Sequence, residues 1–110
     1  MKQIKFAKEL VDLIQSGEKT STWRLFDDKN LQTGDEVLFV RRPEIVPFAK
    51  ARLTHVYEKK FKELTDTDKE GHEQFSTNHG MYTTYTGYYG RPVNGDTVVK
   101  IIRFEITEWL

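Results

Sequence analysis

Within the eight residues Gly17-Glu18-Lys19-Thr20-Ser21-Thr22-Trp23-Arg24 the chain carries an amine, three hydroxyls and a guanidinium. No apolar side chain occurs from Gly17 to Thr22, so the stretch is poorly suited to filling a core. It suits the lining of a cleft, where hydrogen-bond donors converge on a ligand. A polar turn running into an edge strand accounts for the same composition. In an extended pleat Thr20, Thr22 and Arg24 share one face, with Ser21 and Trp23 on the other. Lys19 then starts opposite Thr22. The two meet only if Lys19 lies in the turn after Gly17 or reaches round on its flexible stem.

Other chemistries are constrained by what the chain contains. It has no cysteine, which excludes structural disulfides and thiolate reactions. His55, His72 and His79 show no metal-ligand spacing, so neither a metal nor another cofactor is expected. His55 falls on an alternating segment, as a packed or surface histidine does. The formal net charge is zero, which argues against holding nucleic acid mainly through bulk electrostatics. Locally the charges separate: Arg41, Arg42, Lys50, Arg52, Lys59, Lys60 and Lys62 are followed by Glu63, Asp66, Asp68, Glu70 and Glu73. A solvated face explains this pattern as well as a binding surface does.

The elements that position these residues follow from periodicity. Phe6, Leu10, Leu13 and Ile14 form one stripe, predicting a helix over about 6–16 that Gly17 closes in a left-handed conformation. Residues 20–25 favour an extended strand. Thr33-Gly34-Asp35 signals a turn into a buried strand, Val37-Leu38-Phe39-Val40. Pro43 and Pro47 bracket a hairpin connection, and residues 48–57 alternate with Ala49, Ala51, Leu53, His55 and Tyr57 on one side. Thr65 and Asp68 have the spacing of a capping box. Ser76 is placed to cap a further helix, in which Met81, Tyr85 and Tyr88 close the core or, alternatively, present a stacking platform. Residues 98–109 read as a strong final strand.

The sum is an α+β fold with about five strands in a twisted, barrel-like sheet and two or three flanking helices, paired antiparallel through short connections. The 110 residues, 1–110, are read as one domain. The start, Met1-Lys2-Gln3-Ile4-Lys5, has no apolar h-region and no apolar run reaches membrane-spanning length, so a soluble, cytoplasmic protein is expected.

With this order in view, the chain resembles the ASCH domain family, a branch of the PUA-like β-barrels. The resemblance runs over nearly the whole length. It rests on Gly17, Lys19, Thr20, Thr22 and Arg24, supported by Gly34-Asp35, Leu64-Thr65, Glu70-Gly71 and Tyr89-Gly90. It implies a small barrel whose cleft takes an RNA segment or a modified nucleoside, with Gly17, Thr20, Arg24 and Tyr89 as ligand-binding residues. One branch, the bacterial N4-acetylcytidine amidohydrolases, is associated with a Lys, Thr and Glu set. Carried over by motif, these are Lys19, Thr22 and Glu70, with Glu73 as the rival carboxylate. A threonine hydroxyl needs an adjacent base to act as a nucleophile, and a lysine whose pKa is lowered can be that base. The alternative is that Lys19 and Arg24 stay cationic and clamp a phosphate or carbonyl oxygen without turnover.

Overall fold

The structure, a computed structural model, describes residues 1–110. Eight main elements follow in order: β1 (Lys2–Phe6), α1 (Lys8–Ser16), β2 (Ser21–Arg24), β3 (Glu36–Arg41), β4 (Val46–Lys60), α2 (Asp66–Lys69), α3 (Asn78–Tyr89) and β5 (Val98–Trp109). A single 3-10 turn, Phe61–Glu63, precedes α2. The five strands form one curled sheet, an open half-barrel, in the order β1-β3-β4-β5-β2. No helix is long and apolar enough to cross a membrane.

The first helix begins two residues later than its apolar stripe suggests, because Lys2–Phe6 is a strand. Ile4 and Phe6 point into the core while Gln3 and Lys5 are exposed, a period of two that a pair of apolar residues cannot distinguish from a helical stripe. β1 lies parallel to β3, with Ile4 opposite Phe39. The other three strand pairings are antiparallel, as expected, although only β3 and β4 are joined by a short connection. The parallel exception needs a crossover, and α1 with β2 supplies it. The third helix is capped by Thr77, whose hydroxyl accepts the Gly80 N–H at 2.9 Å, one residue beyond the Ser76 expected.

β5 separates two apolar clusters by its alternation. Ile102 and Phe104 join Ile4, Phe6, Phe39 and Leu53 under α1 in the hollow of the half-barrel. Val99 and Ile101 join Trp23, Phe61, Met81 and Tyr85 under α3. Both faces of the strand are therefore buried, and the tyrosine-bearing helix closes the second cluster, its Tyr85 buried. A bulge between Leu53 and His55 breaks the alternation in β4 and leaves His55 exposed.

Two features of this architecture matter for the site. β1 and β2 are the outermost strands of the sheet, and its curl brings them face to face across a seam. Arg24 crosses that seam: its Nη2 donates to the Lys5 carbonyl oxygen at 2.9 Å. Beside it, α2 is fixed by the expected capping box. The Asp68 carboxylate accepts from the Thr65 N–H at 2.8 Å and from Lys59 Nζ and Tyr57 Oη, both at 2.7 Å. These bonds hold Asp68 well below the usual carboxylate range against the opposing effect of burial. The segment after α2 thus leaves from a fixed point toward β2.

Candidate functional site

Lys19 is delivered by the end of α1. Gly17 adopts φ 83° and its N–H bonds back to the Ile14 carbonyl, so the helix stops in a left-handed turn. The Lys19 N–H then donates to the Leu13 carbonyl at 3.0 Å, which folds the next residue under the helix. As a result the Lys19 side chain lies in the interior, only 3% exposed. Its Nζ donates to the Ser21 carbonyl at 2.8 Å and to Glu73 Oε2 at 2.5 Å. The turn resolves the strand-parity conflict with Thr22, since Lys19 lies outside the pleat.

Glu73 reaches this amine because of Gly71. The Gly71 carbonyl accepts the N–H groups of Thr20 and Ser21, at 2.9 and 3.1 Å, pinning the loop after α2 to the start of β2. Gly71 has φ +73°, and a Cβ there would lie 2.0 Å from Thr20 Oγ1. No other residue type fits this close approach. Two residues on, the Glu73 carboxylate meets Lys19. Glu70 instead ends α2 as its exposed C-terminal cap. The carboxylate brought to the amine is therefore Glu73.

Burial lowers the Lys19 pKa from its ordinary value, and Arg24 adds to the effect while Glu73 opposes it. For Glu73, burial acts to raise the pKa, but the charge and hydrogen bond of Lys19 help to bring it below the ordinary value. The carboxylate is thus firmly ionised, while the amine releases its proton more easily than a surface lysine does.

His72 completes this wall. Its ring stacks on Trp23 at 3.7 Å between centroids and 12° between planes. Nδ1 lies 3.0 Å from the Glu73 carbonyl oxygen, which only accepts, so Nδ1 carries the hydrogen. Nε2 is then the acceptor for Tyr85 Oη at 3.3 Å. Burial, reinforced by the Lys19 charge, lowers the His72 pKa and keeps the ring neutral. Burial likewise raises the Tyr85 pKa, so its hydroxyl stays a donor.

Thr22 sits on β2, 1% exposed, with Oγ1 accepting from Arg24 Nη1 at 2.8 Å. The hydroxyl hydrogen remains free to donate, and the guanidinium polarises the oxygen that carries it. Arg24 Nη1 also donates to the Trp23 carbonyl at 2.9 Å, and its guanidinium lies 5.0 Å from the Phe6 ring centroid. Burial lowers the Arg24 pKa, yet a guanidinium starts so high that it stays charged. Its charge is met by neutral oxygens only: Thr22 Oγ1 and the carbonyls of Trp23 and Lys5.

All of this opens into one cavity of about 500 Å³ at the seam between β1 and β2. Lys19, Thr22, Trp23, His72 and Glu73 line it from β2 and the segments pinned to β2, and Lys5 and Arg42 line it from β1 and the end of β3. Tyr85, Tyr88 and Tyr89 of α3 line it with aromatic surface. Of the residues expected from sequence, Lys19, Thr22, Arg24 and Tyr89 line this cavity. Tyr89 also anchors β2, its Oη accepting the Leu25 N–H at 3.1 Å. Gly17, Thr20 and Glu70 do not line it; Gly17 and Thr20 act through the backbone, one ending α1 and the other bonding Gly71. No group of three or more His, Asp or Glu side chains is arranged to hold a metal ion.

Sequence reasoning did not find His72 or Trp23 at the site, and it offered Tyr85 as core or, alternatively, as a stacking surface; Tyr85 is buried in the second cluster and also lines the cavity. The available signal was Gly71-His72-Glu73 itself, a glycine followed by two titratable residues directly after a capped helix. It also missed Lys5, because residues 2–5 fall in no expected element and Phe6, the end of the strand, reads as the start of the helical stripe.

Solved structures with the same architecture are available. A protein from Enterococcus faecalis V583 superimposes with a TM-score of 0.76 at 15% identity, over 93% of this chain and 72% of that one. The ASCH protein of Zymomonas mobilis gives 0.66 at 16% identity, over 97% and 68%. A protein from Pyrococcus furiosus gives 0.64 at 23% identity, over 97% of each chain. No curated protein matches the sequence. At these identities the likeness is one of fold. The sequence carries the assignment further, since the family model for the ASCH domain matches residues 1–108, from β1 through β5. The chain therefore belongs to the ASCH domain family.

Proposed function

We propose that this ASCH protein is a small amidohydrolase that binds a modified nucleoside in the seam cavity and removes an N-acyl group, as in N4-acetylcytidine. The observation that carries this reading is the contact of a buried amine with a carboxylate at 2.5 Å, in the cavity that also holds a hydroxyl polarised by a guanidinium. An ordinary surface lysine is a poor base at neutral pH. One whose pKa burial has lowered is better matched to the task. The cavity has the size of a small-molecule site, and its tyrosines offer faces for a pyrimidine ring.

Each residue then has a chemical role. In its neutral form the Lys19 amine has two N–H groups, which match its two acceptors, the Ser21 carbonyl and Glu73. Its lone pair is left to take the Thr22 hydroxyl proton as Oγ1 bonds to the acyl carbon. Lys19 and Thr22 do not hydrogen-bond each other directly, so bound substrate or one water completes that path. The oxyanion that forms is stabilised by Arg24, which uses three of its five N–H donors on the protein and keeps the others. The carbon–nitrogen bond breaks, and the proton held by Lys19 passes to the departing amine. Water, deprotonated by Lys19, then cleaves the Thr22 ester, releases the carboxylic acid and regenerates the hydroxyl.

A second reading is supported by the same ion pair. If Lys19 keeps its proton, Lys19 and Arg24 clamp a carbonyl or phosphate oxygen of RNA or of a modified nucleoside, and no bond is broken. Acetate release from N4-acetylcytidine separates the two. Turnover is expected, with Lys19→Ala and Thr22→Ala each lowering it by about a hundredfold or more while the thermal melt stays cooperative. Wild-type protein that binds the nucleoside but yields no acetate above background leaves the clamp as the function.

A further inference from the structure

We propose that the β1 wall of the cavity is a phosphate subsite, so that the ligand is a phosphorylated nucleoside rather than a bare one. This rests on reading the cavity as a nucleoside site. Lys5 on β1 and Arg42, the residue after β3, both line the cavity, and the Arg42 N–H donates to the Phe6 carbonyl at 3.0 Å, which holds the two segments together. Both side chains are exposed, and neither forms an ion pair.

Other cations of the chain also lack a carboxylate; what sets Lys5 and Arg42 apart, with Arg24, is that they line this cavity. Lys2, Lys59, Lys62 and Lys100 each meet a carboxylate, and Arg41, next to Arg42, pairs with Glu44 at 3.7 Å. Within the cavity the Lys19 charge is balanced by Glu73, whereas that of Arg24 is met by neutral oxygens alone. Arg24, Lys5 and Arg42 thus outnumber the lining carboxylates, Glu9 and Glu73, even when Lys19 is neutral. In a chain of zero formal net charge, this excess is local and faces a cavity. Clustered cations repel one another, and an anionic ligand group relieves that repulsion while accepting charge-assisted hydrogen bonds.

The chemistry of a cytidine fits the two walls. Its exocyclic nitrogen and its glycosidic nitrogen lie on opposite sides of the pyrimidine ring. With the N-acyl group at Lys19 and Thr22, the ribose and its 5′ phosphate extend away from the β2 wall toward β1. Arginine and lysine are both established partners for phosphate oxygens, Arg42 as a fork and Lys5 as a point charge. The phosphate is a terminal monoester in a free nucleotide or a diester inside a strand.

The test compares ligands that differ only in the phosphate. Calorimetric titration with cytidine and with cytidine 5′-monophosphate reads affinity whether or not turnover occurs. Acetate release is measured in parallel on N4-acetylcytidine, its 5′-monophosphate, and a short oligoribonucleotide carrying it internally. The phosphorylated ligand is expected to bind about tenfold more tightly at low salt, with the advantage shrinking as ionic strength rises. The Lys5→Ala/Arg42→Ala double variant is expected to bring the two affinities within about twofold, and Arg42→Lys to keep part of the preference. Equal affinities of the wild-type protein for cytidine and its monophosphate overturn the subsite but leave the nucleoside reading standing. No binding of either overturns both. A preference that survives the double variant also overturns the subsite, because it then arises elsewhere. The oligoribonucleotide arm tells a diester from a monoester ligand.

Discussion

At the scale of single residues, the site is a contest between burial and charge. Burial discourages charge on Lys19, and Glu73 only partly offsets it, so the amine is poised nearer to release of its proton than a solvated lysine. Glu73→Gln removes the partner while keeping its shape. We expect it to lower amidase turnover by about tenfold to a hundredfold and to shift the pH–rate profile of Lys19 to lower pH, since the carboxylate no longer favours the ammonium. Glu70→Gln, at an exposed helix cap, is expected to change turnover by less than about twofold. Initial rates of acetate release from pH 6 to 10 decide the comparison. This residue pair also marks the limit of sequence reading. The motif points to Lys19, Thr22 and a nearby acid, but Glu70 and Glu73 differ by three positions in a loop whose path depends on one backbone contact. The acidic side chains do not encode that contact; the positive φ of Gly71 and the lack of room for a Cβ beside Thr20 do.

Secondary-structure elements explain why the two walls of the cavity are unequally legible. The β2 wall follows from local signals: an amphipathic helix, a left-handed glycine, then an extended polar stretch, all contiguous from Lys8 to Arg24. The capping box at Thr65 and Asp68 is equally local, and its carboxylate is satisfied as the spacing predicts. The β1 wall depends on a strand of five residues pairing in parallel with a partner more than thirty positions away, and no short-range pattern reports such a pairing. The loop after α2 is the element most sensitive to change. Gly71→Ala places a methyl group against Thr20 Oγ1 in a left-handed backbone, and we expect it to destabilise the fold by about 2–4 kcal/mol. Because the Gly71 carbonyl also fastens Glu73 beside Lys19, activity is expected to fall even at temperatures where the variant is fully folded. Urea denaturation alongside turnover checks both effects.

For the molecule as a whole, acid stability follows from the same buried groups. His72 has a lowered native pKa because burial disfavours its charged form, while in the unfolded chain it titrates near 6.5. Below that pH the unfolded state binds more protons, so stability is lost as pH falls from about 6.5. The loss from this one group is at most about 1.4 kcal/mol per pH unit. Asp68, with a lowered pKa, adds a second loss only below its unfolded value of 3.8. Melting temperatures recorded between pH 7.5 and 4.5 are expected to decline more steeply for the wild-type protein than for His72→Phe, which keeps a ring against Trp23 and cannot take up the proton. Parallel slopes for the two proteins would assign the acid sensitivity to other groups.

The bond from Arg24 to the carbonyl of Lys5 has one more implication. A main-chain oxygen is present whatever amino acid occupies position 5, so the anchor that holds the arginine against Thr22 is indifferent to the side chain projecting from the same residue. Recognition on one bank of the cleft can therefore be rewritten by point substitution while the opposite bank keeps its alignment. A scaffold wired in this way lets ligand preference drift without dismantling the reactive groups.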